Sequence, residues 1–220
     1  QEIAAAHYWC ELAESARLEG RLDEAVECLN KARTADRHFS RSALIRADIA
    51  IEQGDTALAR RLLAGVVARD AGLIVDALPR LVRLARLPGG GGDAMLAEVL
   101  ASRQDRPAEV AFAAVLADAL DFPALEEAVR QRFSQDESLA AIIRALGREP
   151  ETLDGGAVGA IAASLRRVAA SSPRYRCAVC GFSSAAHFWQ CPGCKTWDSQ
   201  RPLVRFDLSA GLQGAPDPSA

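Results

Sequence analysis

The sequence predicts an all-α solenoid of stacked helix pairs, ending in a small ribbon folded around a metal ion. Three observations predict it. Strong helix formers (Ala, Leu, Arg and Glu) dominate from residue 4 to about residue 171. Small and turn-forming residues recur at a spacing of 34. Four of the six cysteines fall within 18 residues near the C-terminus, as two C-x2-C pairs.

Composition narrows the class. Half of the 220 residues are apolar, a quarter are charged, and the mean hydropathy is +0.01. A chain of that make-up buries a core rather than remaining disordered. Aromatic residues are 5%, low for a β-sandwich or barrel. The net charge is −3, so there is no whole-chain basic footprint for nucleic acid. No apolar run approaches the roughly 18 residues of a membrane span. The chain begins at Gln1 with no signal peptide in view, and it is expected to be a fragment with further repeats upstream.

Turn signals cut the helical stretch into pieces of about 10 to 15 residues. They stand at Gly20, Gly54, Pro88 to Gly92, Pro107, Pro123, Gly147 to Pro150 and Gly155-Gly156. Gly20 recurs as Gly54, Ala25 as Ala59, Leu29 as Leu63 and Asp36 as Asp70. That spacing is the period of the tetratricopeptide repeat, a helix-turn-helix unit. In residues 6–39, Trp9, Leu12, Ala13 and Ala16 fall on the first helix. Gly20 makes the turn, and Ala25, Leu29 and Ala32 line the second helix. The closing turn reads Ala35-Asp36-Arg37, where the usual repeat has Pro. One unit cannot bury its apolar face alone, so stacking supplies the core. Residues 74–107 fit a third unit with a turn swollen by Gly89 to Gly92. Residues 108–136 and 137–171 fit either further repeats or plain helical hairpins.

This region carries no catalytic constellation: no phosphate loop, Ser-centred elbow or His-Glu metal motif is present. The chain is therefore expected not to be an enzyme. Concave repeat surfaces hold peptides and proteins. Arg80, Arg83 and Arg86 alternate with Leu78, Leu81, Leu84 and Leu87. They make either a basic stripe for an acidic partner or anionic membrane, or an ordinary solvated face; Pro79 marks a helix start or kink. Cys10 and Cys28 are read as small packing residues, and His7 and His38 as structural or surface groups.

The C-terminal cysteines, Cys177, Cys180, Cys191 and Cys194, are the metal-ligand candidates. Two thiolates two residues apart wrap one metal. Gly181 follows the first pair where a positive φ is needed, and Pro192-Gly193 sits inside the second turn. Four thiolates close a tetrahedral shell without an open position, which suits structural zinc and also admits iron. Disulfide pairing is the alternative, disfavoured by strain in a C-x2-C turn. His187 lies between the pairs as a spare ligand. About 30 residues cannot hold themselves by apolar burial, so metal binding provides much of the folding free energy. Half of the chain's aromatics cluster here: Tyr175, Phe182, Phe188, Trp189, Trp197 and Phe206. They form either a small core with a docking face or, with Arg174, Arg176, Lys195, Arg201 and Arg205, a surface that stacks bases. The expected domains are 1–172 for the helical array, 173–207 for the metal module and 208–220 for a mobile tail.

Pro173-Arg174-Tyr175-Arg176-Cys177-x-x-Cys180-Gly181-Phe182, followed by Trp189, Cys191-Pro192-x-Cys194 and Trp197, resembles the lipopolysaccharide assembly protein B family. The resemblance implies tetratricopeptide repeats with a rubredoxin-like zinc ribbon packed against them. It implies a cytoplasm-facing adaptor held at the inner membrane by an N-terminal helix that this sequence does not contain. The implied partners are the lipid A pathway deacetylase, a membrane-anchored AAA+ protease that degrades it, and an inner-membrane lipopolysaccharide-sensing protein; nucleic acid is not among them. The implied metal ligands are Cys177, Cys180, Cys191 and Cys194. Two readings of the ribbon stand as alternatives: a rubredoxin-type electron carrier, for which ten residues between the pairs is short, and a zinc-ribbon nucleic-acid module.

Overall fold

In the computed structural model the residues described are 2–35, 39–101, 121–171, 173 and 175–203. Several sequence expectations lie outside them: Asp36, Arg37, His38, Pro107 with the first half of the 108–136 pair, Arg174, Arg205, Phe206 and the tail. The chain divides into two compact units, Gln1–Leu153 and Asp154–Ala220.

The first unit is a succession of helices: α1 (Glu2–Leu18), α2 (Leu22–Ala35), α3 (Ser40–Glu52), α4 (Thr56–Arg69), α5 (Ile74–Ala85), α6 (Gly92–Ala101), α7 (Pro123–Gln135) and α8 (Glu137–Ala145). Short 3-10 turns occupy Ala71–Leu73 and Pro150–Thr152. Consecutive helices pack pairwise, α1 on α2 and α3 on α4, and α1 and α5 each also pack on α3.

The 34-residue period is physical. Cys10, Leu44 and Leu78 are buried at equivalent positions of α1, α3 and α5; so are Ala13, Ala47 and Leu81, and Ala16, Ala50 and Leu84. On the partner helices Ala25 matches Ala59, Leu29 matches Leu63 and Ala32 matches Val66, all buried. The turns repeat too. Gly20 N–H donates to Arg17 O and Arg21 N–H to Ala16 O; Gly54 N–H donates to Ile51 O and Asp55 N–H to Ala50 O. This is the Schellman closure of a helix, which places Gly20 at φ +78° and Gly54 at φ +76°. A Cβ at either position meets nothing within 4 Å, so the left-handed φ alone selects glycine.

The third unit keeps the register through Leu84 and then departs from it. The connection is residues 86–91, against 19–21 and 53–55 in the first two units. Here Gly90 is required by close approach, since its Cβ would lie 1.8 Å from Leu84 O. The buried positions of α6 become Met95, Leu96 and Val99. Pro79 sits inside α5 rather than at its start. Asp55 and Asp136 cap α4 and α8 by accepting from Leu58 N at 3.0 Å and Leu139 N at 3.1 Å.

The second unit begins with α9 (Gly155–Ser171), capped by Asp154, which accepts from Ala157 N at 2.8 Å. Gly155-Gly156 thus opens a helix instead of ending one. A three-stranded antiparallel sheet follows, in the order β2 (Ser183–Ser184), β1 (Tyr175–Cys177), β3 (Gln200–Pro202). Tyr175 pairs with Ser184 and Pro202, and Cys177 with Gln200. No helix among the described residues is long and apolar enough to cross a membrane.

Candidate metal centre

Two equivalent turns build the centre, offset by 14 residues. Cys177 N–H donates to Phe182 O at 2.8 Å, and Cys191 N–H to Thr196 O at 3.0 Å. Gly181 N–H donates to Cys177 O at 3.0 Å, and Lys195 N–H to Cys191 O at 2.9 Å. Each turn thereby projects two sulfurs inward. The closing residue must be left-handed in both: Gly181 has φ +76° and Lys195 φ +59°. Sequence reading found the first of these through its glycine; a lysine in the second gave no signal. Gly193 keeps the turns together, since a Cβ there would lie 3.3 Å from Cys180 Sγ.

Cys177, Cys180, Cys191 and Cys194 all meet, with their Sγ atoms within 4.8 Å of one another. Cys177 Sγ lies 3.7 Å from Cys194 Sγ, and Cys180 Sγ 3.6 Å from Cys191 Sγ. Four sulfurs each 2.3 Å from a central ion would stand about 3.8 Å apart. A disulfide would bring a pair to about 2.05 Å; all six cysteines are instead free. The donor set therefore fits a metal ion held by four thiolates. Cys177 and Cys191 are buried, Cys194 is half-buried and Cys180 reaches the surface.

The surroundings treat the sulfurs unequally. Ser199 Oγ lies 3.3 Å from Cys177 Sγ, and the Cys180 and Val179 N–H groups donate to that sulfur at 3.5 and 3.4 Å. These contacts favour the thiolate, led by Ser199, and bring the Cys177 thiol down to about 5. Thr196 holds the Cys194 thiol below its usual range through its hydroxyl, 3.3 Å from Sγ, and its backbone. At Cys180 a backbone contact with Phe182 also lowers the pKa. Desolvation and the other three sulfurs outweigh it and push the thiol up to about 11.

The remaining candidates are placed as follows. His187 is not in the four-sulfur cluster; its ring lies tilted against Tyr175 at 5.1 Å and edge-on to Trp189 at 4.7 Å. Cys10 and Cys28 are buried in the core of the first helix pair. His7 is fully buried with its Nδ1 3.2 Å from Arg41 Nη1 and its ring edge-on to Phe39. Arginine can only donate, so Nδ1 is the acceptor of this bond. Arg41 also reaches Glu11 at 2.5 Å. The basic stripe is broken up: Arg80 is bound by Asp48, while Arg86 pairs with Asp121 at 3.0 Å.

The rubredoxin metal binding domain family matches residues 175–202, which include all four sulfurs. The chain is 23% identical over 213 residues to lipopolysaccharide assembly protein B of Escherichia coli K12, an alignment covering 94% of this chain and 55% of that protein. Proteins of the same name from Escherichia coli O6:H1 and O157:H7 match to the same extent. The chain thus spans about half the length of the curated relatives it matches. It is distantly similar to lipopolysaccharide assembly protein B along nearly all of its own length, and its terminal four-cysteine ribbon matches the rubredoxin metal binding domain family.

Proposed function

We propose that the chain is the repeat-and-ribbon portion of a non-enzymatic adaptor that limits lipopolysaccharide synthesis. In this reading it works on the cytoplasmic side of the inner membrane. It presents the lipid A pathway deacetylase to a membrane-anchored AAA+ protease and responds to a lipopolysaccharide-sensing membrane protein. The ribbon holds one zinc ion through Cys177, Cys180, Cys191 and Cys194, and the ion's contribution is to cross-link the two turns. The observation that carries the reading is the coincidence, in one chain, of the family's repeat array with its terminal four-sulfur cluster. Replacing Cys177 and Cys180 by alanine in the complete protein tests it. Metal content should be lost and the deacetylase should persist in cells after synthesis is blocked. Unchanged deacetylase turnover in the metal-free variant would overturn the adaptor role of the ribbon.

One observation favours a second reading, electron transfer: Cys180 brings the edge of the cluster to the surface, beside exposed Val179 and Phe182. Metal analysis separates the two. Iron with thiolate-to-iron absorption in anaerobically purified protein supports the carrier, and colourless protein with one zinc removes it.

A further inference from the structure

Across the antiparallel pair β1–β3, Arg176 stands directly opposite Arg201. Both are exposed, while their strand neighbours Tyr175, Cys177 and Gln200 are buried. Ser183 of β2 stands opposite Arg176 on the other side. One cross-strand row therefore carries a hydroxyl and two guanidinium groups. Like charges directly opposite each other in a sheet repel, and among the described residues neither arginine has a carboxylate partner. Arg201 instead donates through Nη1 to the carbonyls of Asp198 at 2.8 Å and Gln200 at 3.0 Å. These two bonds fix one arm of the guanidinium fork and leave Nε and Nη2 to solvent or a ligand.

The Arg176 side chain lies over the first turn: a Cβ on Gly181 would stand 3.8 and 3.9 Å from its Nη2 and Nε, an ordinary van der Waals contact. Arg176, Arg201, Gly181, Pro202 and Leu203 line a cleft of about 450 Å³. Two guanidinium groups supply a charge of about +2 and forked donors, which match the oxygens and the roughly −1.5 to −2 charge of a phosphate monoester. A carboxylate would neutralise only one of them. We propose that this row is a binding site for a phosphate monoester group, borne either by a small molecule or by a lipid headgroup. The proposal is independent of the adaptor reading and of which metal fills the ribbon.

The test uses the full chain with its metal bound. Nitrogen-15-labelled protein is titrated with inorganic phosphate at constant ionic strength, and the arginine Nε–H signals are followed by NMR. In parallel, sedimentation is measured with phosphatidylcholine vesicles containing phosphatidic acid, a monoester, or phosphatidylglycerol, a diester, at equal charge. Saturable shifts at Arg176 and Arg201, or sedimentation preferring phosphatidic acid, support the site; the first points to a soluble ligand and the second to a headgroup. Arg176→Gln and Arg201→Gln should each weaken the response at least tenfold, and Arg201→Lys less so. Arg83→Gln should leave it unchanged. Metal-to-protein ratios establish that the variants remain folded. Failure of both arms overturns the proposal: shifts that never saturate or persist in both glutamine variants, together with equal sedimentation on the two anionic lipids.

Discussion

Arg80 on α5 grips Asp48 on α3 with three N–H···O bonds: Nε to both carboxylate oxygens at 2.9 and 3.0 Å, and Nη2 to Oδ2 at 2.9 Å. The carboxylate is nearly buried, with a side-chain exposure of 10%, and the arginine is at 30%. The pair thus joins the first helices of consecutive repeats rather than offering Arg80 to a partner. Arg80→Ala leaves that carboxylate without its strongest counter-charge. It should lower stability by about 2–3 kcal/mol, whereas Arg83→Ala should stay within about 0.5 kcal/mol. Urea unfolding of both variants measures the difference, and equal midpoints would refute the role given to the pair.

The ribbon and the helices should differ in their dependence on metal. Removing the ion with a strong chelator should collapse the fixed environments of Trp189 and Trp197, because so small a sheet has little apolar burial to replace it. Helical circular dichroism should change little. Cys191→Ser should reproduce this state without chelator. Retention of the tryptophan signals in metal-free protein would contradict it.

Metal affinity should rise with pH. In the folded ribbon the Ser199 hydroxyl and the backbone N–H groups hold Cys177 down to about 5, below its ordinary 9.0, so its contribution to stability is complete above about 9 and fades as pH falls towards 5. Cys180, raised to about 11, acts in the opposite sense. It favours the fold fully below about 9 and loses that effect as pH rises through 11. At neutral pH Cys177 is a thiolate and Cys180 a thiol. Binding must then expel the Cys180 proton, giving about a tenfold gain in affinity per pH unit for that proton alone. Competition against a chromophoric zinc chelator at pH 6, 7 and 8 checks this, and a flat profile would count against it.

The two turns predict opposite effects of glycine. Lys195 holds φ +59°, which costs an L-residue about 1–2 kcal/mol. Lys195→Gly should therefore stabilise the metal-bound ribbon, by up to about 1 kcal/mol after the entropy of the unfolded glycine is counted. Gly181→Ala imposes the same strain on the first turn and should destabilise it by a similar amount. Thermal exchange of metal from each variant reads out the pair of effects.

Much of this architecture was legible because it rests on local chemistry. The left-handed closures at Gly20 and Gly54 need glycine, the repeat core needs small residues at fixed positions, and two C-x2-C pairs can hardly do anything but converge. The four-sulfur cluster and the 34-residue register were therefore readable as patterns. The third unit was harder: Gly89 to Gly92 announced a long turn, but only the contact of Gly90 with Leu84 O shows where the chain recrosses. The basic stripe also read ambiguously, since nothing near Arg80 in sequence names Asp48.

By itself, then, the sequence determined the helix pairs, their period and the donor set for a metal, because each follows from φ, helix propensity or ligand spacing within a few residues. Tertiary structure decided which charges are spent and which are available. It bound Arg80 to Asp48 and set His7 against Arg41, 34 residues away. It also brought Arg176 and Arg201 into one row, 25 residues apart in the chain and adjacent in the sheet. Electrostatic pairing depends on distance through space, and only the stacking of helices and the register of strands sets that distance.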